Sequence, residues 1–79
     1  MNQFHRITGV SERLGIATPT IYAHIAKGIW PRGIAVGPRA VAWPESEIDM
    51  MVAARTAGKS EDEIRTLVMS IHEARKQAA

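Results

Sequence analysis

Residues 14–19, Leu14-Gly15-Ile16-Ala17-Thr18-Pro19, constrain the fold more than any other stretch of this chain. Val10 and Leu14 lie four apart on one face of a short helix running from about Thr8, with Ser11, Glu12 and Arg13 toward water. Gly15 ends that helix, because it takes positive φ without penalty. Ile16 follows as a buried turn residue. Thr18 then reads as an N-cap and Pro19 as a first helical residue, where a missing N–H costs nothing. The second helix extends to about Lys27, with Ile21 and Ile25 inward, and Gly28 ends it. Two short helices joined by a Gly-containing turn make a helix-turn-helix over about 8–27.

Beyond Gly28 the apolar period changes from helical to two. Ile34, Val36, Val41 and Trp43 flank a Gly37-Pro38 turn and predict a hairpin over about 34–43. Trp30-Pro31 is the bend that leads in, with Trp30 expected to plug the seam between hairpin and helices. Pro44 opens a third helix to about residue 57, with Glu45, Glu47 and Asp49 at its positive end. Ile48, Met51 and Val52 form its inward face, and Gly58 closes it. Ser60 and Glu63 make a capping box for a fourth helix over about 60–76. Its stripe is Ile64, Leu67, Val68 and Ile71, with fraying expected from Lys76 onward. That stripe, with Met69, is available either to complete the core or to pair with another copy. The expected fold class is mainly α with a small β-hairpin, in one domain over residues 1–79.

A chain of 79 residues has a thin core, and this one has no cysteine to staple it. His5, His24 and His72 are too far apart for usual ligand spacing, so no metal or other cofactor is expected. Glu61-Asp62-Glu63 is explained by the helix dipole. No stretch reaches the ~18–20 apolar residues of a membrane span, and MNQFHRITGV lacks the pattern of a secretory leader, so a cytoplasmic protein is expected. No nucleophile, base and orienting group stand out together, which argues against an enzyme and a small-molecule substrate.

Charge is distributed unevenly. Residues 1–43 hold five cations, Arg6, Arg13, Lys27, Arg32 and Arg39, against Glu12 alone, a net +4, whereas residues 44–79 carry a net −2. A basic front and acidic back fit a protein that docks one face on phosphate. With Ile21 and Ile25 inward, a 100° step per residue turns Pro19, Ala23 and Ala26 outward, flanked by Tyr22 on one side and by Thr20 and Lys27 on the other. The candidate DNA-contacting residues are therefore Thr18, Pro19, Thr20, Tyr22 and Ala23 for the major groove and Lys27 for a phosphate. Arg39 at the hairpin tip and Arg32 before it are candidates for a minor groove or phosphate. His24 lies about 60° from the core direction on the same geometry and reads as a packing residue.

At these residues the chain resembles the AlpA family of phage and prophage regulators, relatives of the excisionases with a MerR-like winged-helix fold. The resemblance lies in Gly15-Ile16, Thr20-Ile21-Tyr22, Gly28 with Trp30-Pro31, Gly37-Pro38-Arg39-Ala40-Val41, Trp43 and Glu47. It covers about 70 of the 79 residues, and the tail AGKSEDEIRTLV is similar to a subgroup with an extra C-terminal helix. The resemblance implies a winged helix-turn-helix and control of mobile-element genes, typically an integrase, or direct help to excision. Double-stranded DNA is the implied partner, with self-association or an integrase on DNA beside it. The chain departs from the family pattern at Thr18 and Ala23, where basic residues are usual, and at His24, where a Leu-like residue is common. The competing expectation is a protein–protein interaction module on the same fold, motivated by the nearly uncharged outward side of the second helix.

Overall fold

Helix ends in this chain are written by local chemistry, and the computed structural model, which describes residues 3–78, shows where each falls. The elements are β1 (Phe4–His5), α1 (Ile7–Leu14), α2 (Thr18–Lys27), β2 (Ile34–Gly37), β3 (Ala40–Pro44), α3 (Glu45–Thr56) and α4 (Glu61–Ala78). Gly15 and Gly28 close α1 and α2 at φ +67° and +79°, the left-handed region where a Cβ is costly. At each, the next residue's N–H returns to a carbonyl five positions back: Ile16 to Ser11 at 3.3 Å and Ile29 to His24 at 3.0 Å. That bond satisfies a carbonyl that the helix end would otherwise orphan.

The turn between α1 and α2 differs from its expected detail in two ways. Ala17, not Thr18, holds the extended cap position (φ −62°, ψ 145°), and Pro19 is the second helical residue. The N–H groups of Thr20 and Ile21 both reach the Ala17 carbonyl, at 3.0 and 3.2 Å, so the helix starts on backbone bonds without a side-chain cap. Ser11 does not simply face water either. Its hydroxyl donates to the Ile16 carbonyl at 2.6 Å and ties the end of α1 to the turn.

The sheet is three-stranded and antiparallel in the order β1-β3-β2. β1 was not expected; two residues are too few to show alternation, and only pairing with Pro44 and Trp43 defines it. The hairpin turn is Pro38-Arg39, one residue later than Gly37-Pro38, because Gly37 pairs with Ala40. A bulge at Val36 shifts the register between Ala35 and Gly37 and breaks the period-two reading. Val36 and Val41 are exposed, while Ala42 and Trp43, on the central strand, are both buried. Pro44 ends β3 as well as preceding α3, in extended backbone at φ −63° and ψ 139°.

One apolar cluster joins these elements: Val10, Ile21, Trp30, Trp43, Ile48, Met51, Ile64, Val68 and Ile71. α4 thus completes the core with its stripe, Leu67 packing against it, while Met69 points away at 70% exposed. The helix stays regular to Ala78 where fraying was expected, and Ala79 lies outside the described residues. The capping box forms as read, Ser60 N–H to Glu63 Oε1 at 3.0 Å and Glu63 N–H to Ser60 Oγ at 3.2 Å.

Glu47 corrects the simple dipole reading. It is buried, and Arg75 of α4 grips it with two bonds, Nε to Oε2 at 2.9 Å and a second guanidinium nitrogen to Oε1 at 2.5 Å. The parallel fork of donors matches the carboxylate and leaves little of either charge in water. Removing one partner strands the other charge, so Glu47→Ala is expected to cost about 2–4 kcal/mol, scaled down from a fully buried pair. A lower urea midpoint at unchanged slope reads that loss.

Candidate nucleic-acid interface

The side of α2 opposite its core contacts is open. Ile21 is buried and Ile25 half-buried, whereas Pro19, Ala23 and Ala26 are all exposed, with Thr20, Tyr22 and Lys27 exposed beside them. Thr18 is half-buried at the start of the helix. Arg32 and Arg39 are exposed, Arg39 in the two-residue turn at the hairpin tip. Neither α1 nor α2 has an acidic residue in its first turn, so the positive ends of both helix dipoles stay unneutralised by side chains.

What separates the two halves of the chain is how their cations are used. After residue 43 every one is occupied within the molecule. Arg55 donates to the Ile29 carbonyl and stacks 5.3 Å from the Trp30 ring centroid. Lys59 pairs with Glu63, Arg65 with Glu61 and Asp62, Arg75 with Glu47, and Lys76 with Glu73. Of the Arg and Lys residues before residue 43, Arg13 alone has a carboxylate among the described residues, that of Asp49 at 2.5 Å. Among the described residues, the side chains of Arg6, Lys27, Arg32 and Arg39 make no ion pair. Arg6, at the extended cap position of α1, was passed over in the sequence because no pattern marked it.

The segment between α2 and the hairpin is fixed from the opposite half of the chain. Arg65 Nε donates to the Lys27 carbonyl at 3.0 Å. Arg55 donates to the Ile29 carbonyl at 3.2 Å and to His24 Nδ1 at 3.3 Å. The backbone N–H of Arg32 donates to His72 Nε2 at 3.1 Å. Arg55 and Arg75 were missed as structural residues, yet both continue inward stripes, Ile48–Val52–Arg55 and Val68–Ile71–Arg75, at helical spacing. A charged residue on such a stripe was the available signal.

Both acceptor histidines are shifted downward. Desolvation lowers His24 first, followed by repulsion from Arg55 and Lys27 against a smaller pull from Glu61. His72 is lowered by desolvation, then by Arg32 and Arg75, with Glu47 opposing. A depressed folded-state pKa means the neutral ring is the bound form, so its stabilisation is fully present above the unfolded value of about 6.5. It is lost as pH falls through the lowered folded values. Unfolding midpoints are therefore expected to drop on acidification from pH 7.5 to 5, and a His24→Gln, His72→Gln double variant to flatten that drop.

A family profile described as Prophage CP4-57 regulatory protein (AlpA) matches residues 3–56, from β1 to the last residue of α3. The chain belongs to the AlpA family. AlpA is a family of phage regulatory proteins, and α4 lies beyond the part of this AlpA chain that the profile matches. The chain is also similar to an uncharacterized protein, ORF88, of Enterobacteria phage P4, at 37% identity over 57 residues, which are 72% of this chain and 65% of that protein. The chain thus spans about two thirds of that relative's length. No solved structure gives a significant match. No helix among the described residues is long and apolar enough to cross a membrane.

Proposed function

We propose that this AlpA-family chain is a DNA-binding regulator of a phage or other mobile element. On this reading α1, the turn and α2 act as a helix-turn-helix, and β2–β3 is the wing of a MerR- or excisionase-like winged helix. α2 enters the major groove through Thr18, Pro19, Thr20, Tyr22 and Ala23, with Lys27 on a phosphate. Arg39 and Arg32 bind the adjoining minor groove or backbone, where a narrow groove concentrates negative potential. The protein acts in transcription control or as an architectural factor in excision, with a second copy or an integrase on the same DNA as candidate partners.

The observation that carries this reading is the division of cations. Those after residue 43 are occupied, whereas Arg6, Lys27, Arg32 and Arg39 have no carboxylate among the described residues. An exposed helix side with no acidic residue in its first turn belongs to that same half. Titration of a labelled duplex at rising salt tests it. Four phosphates neutralised give a slope of about −3.6 in log K against log salt. Absence of saturable binding even at low salt would remove DNA as the partner.

One observation favours a second reading. The outward side of α2 has no charged side chain before Lys27, and Tyr22 on it is 49% exposed. Arg, Lys, Asn and Gln make the bidentate base contacts, so such a surface also suits a protein partner. In that case the duplex titration is flat and the same α2 residues respond to a protein instead.

A further inference from the structure

Helix α2 is the element that the proposed function applies to DNA, yet its last turn is held by a helix that the family profile does not reach. Arg65 of α4 donates from Nε to the Lys27 carbonyl at 3.0 Å, the last helical residue of α2. Its other two nitrogens are taken by Asp62 at 3.1 Å and Glu61 at 2.8 Å. All three nitrogens of the fork are therefore committed within the protein. A guanidinium so occupied is held in one orientation, and its positive charge meets the negative end of the α2 dipole. Its stem also lies over Gly28, where an added Cβ would sit 3.5 Å from Arg65 Cγ. Seven residues further on, His72 of the same helix accepts the Arg32 N–H, so α4 touches both ends of the connection from α2 to the hairpin.

We infer that Arg65 is a positioning residue for DNA binding: through it α4 fixes the C-terminal end of α2, and with it the angle between α2 and the hairpin. The inference rests on the DNA-binding reading above, but its mechanical half does not. Binding that needs α2 and the hairpin tip on one duplex together loses affinity when their connection is free to move, because that freedom must be frozen on association. Arg65 acts in this way without touching phosphate.

The test uses the full chain and Arg65→Gln, with Arg65→Lys beside it, read by backbone hydrogen exchange and by binding to a mixed-sequence duplex at low salt. Arg65 is partly exposed, so both variants are expected to fold. In Arg65→Gln the amides of Gly28, Ile29, Trp30 and Arg32 are expected to exchange faster while those of β3 and α3 keep their rates. Affinity is expected to fall about fivefold, the scale of one charge-assisted bond partly hydrated. The salt slope stays that of the native chain. Arg65→Lys, which keeps the charge and loses the fork, follows the Gln variant. Unchanged exchange at the amides of Gly28, Ile29, Trp30 and Arg32 overturns the inference, as does faster exchange throughout the core, which marks general destabilisation. A shallower salt slope overturns it too, by placing Arg65 on the DNA. A native chain that binds no duplex overturns the DNA-binding reading instead, and the exchange data still decide whether Arg65 holds the end of α2.

Discussion

Trp43→Ala is expected to lose about 3–5 kcal/mol, against a total of about 4–12 kcal/mol for a domain of this size. Trp43 is 1% exposed on the central strand β3, where it pairs with His5 of β1. Its ring packs on Gly33, whose added Cβ would lie only 3.2 Å from Trp43 Cζ2. Its Nε1–H donates to the Pro31 carbonyl at 2.8 Å, tying the sheet to the bend after α2. Truncation opens a cavity in the one cluster that all four helices share and leaves that carbonyl without its donor. Trp43→Phe keeps most of the ring and loses the bond, so a smaller loss of about 1–2 kcal/mol is expected. Urea unfolding followed by circular dichroism measures both, and a Trp43→Ala midpoint equal to that of the native chain would contradict this role.

The other large effect concerns binding. Lys27, Arg32 and Arg39 have no carboxylate among the described residues, so replacing all three with Ala removes no ion pair. Stability should stay within about 0.5 kcal/mol of the native value, as for ordinary surface changes. Each phosphate contact contributes about −0.9 to the slope of log K on log salt, so the triple variant should flatten it by about 2.7. Affinity at low salt should fall on the order of 100-fold or more, on every sequence alike, since phosphate contacts read no bases. Triple substitution of Lys59, Lys76 and Arg13, which have carboxylate partners, is the matched control and should leave most of that slope in place.

Much of this architecture was legible in the sequence because strong local signals agreed. Gly15 and Gly28 ended their helices, Ser60 and Glu63 capped α4, and the stripe Ile64–Val68–Ile71 went into the core. Where the reading failed, the cause was tertiary. β1 is two residues whose only definition is its partner β3. Val36 left the expected alternation because a bulge added one residue to its strand. Glu47 looked like a dipole residue until Arg75, 28 positions away, was seen to meet it. The side of α2 opposite Ile21 was readable from the 100° step alone, and Pro19, Ala23 and Ala26 are indeed exposed. That Arg39 and Lys27 have no carboxylate among the described residues while Arg65 and Arg75 are engaged was not readable, because ion pairing between distant elements leaves no periodic trace.

Backbone amide shifts of the labelled chain, followed while duplex DNA is added at low salt, show which surface meets the nucleic acid. Thr18, Thr20, Ala23 and Lys27 of α2 are expected to shift together with Arg39 at the hairpin tip, while Met69 and Glu73 on the outer side of α4 stay in place. Shifts confined to α3 and α4, or none at all while the duplex saturates, would contradict DNA binding through α2 and the hairpin.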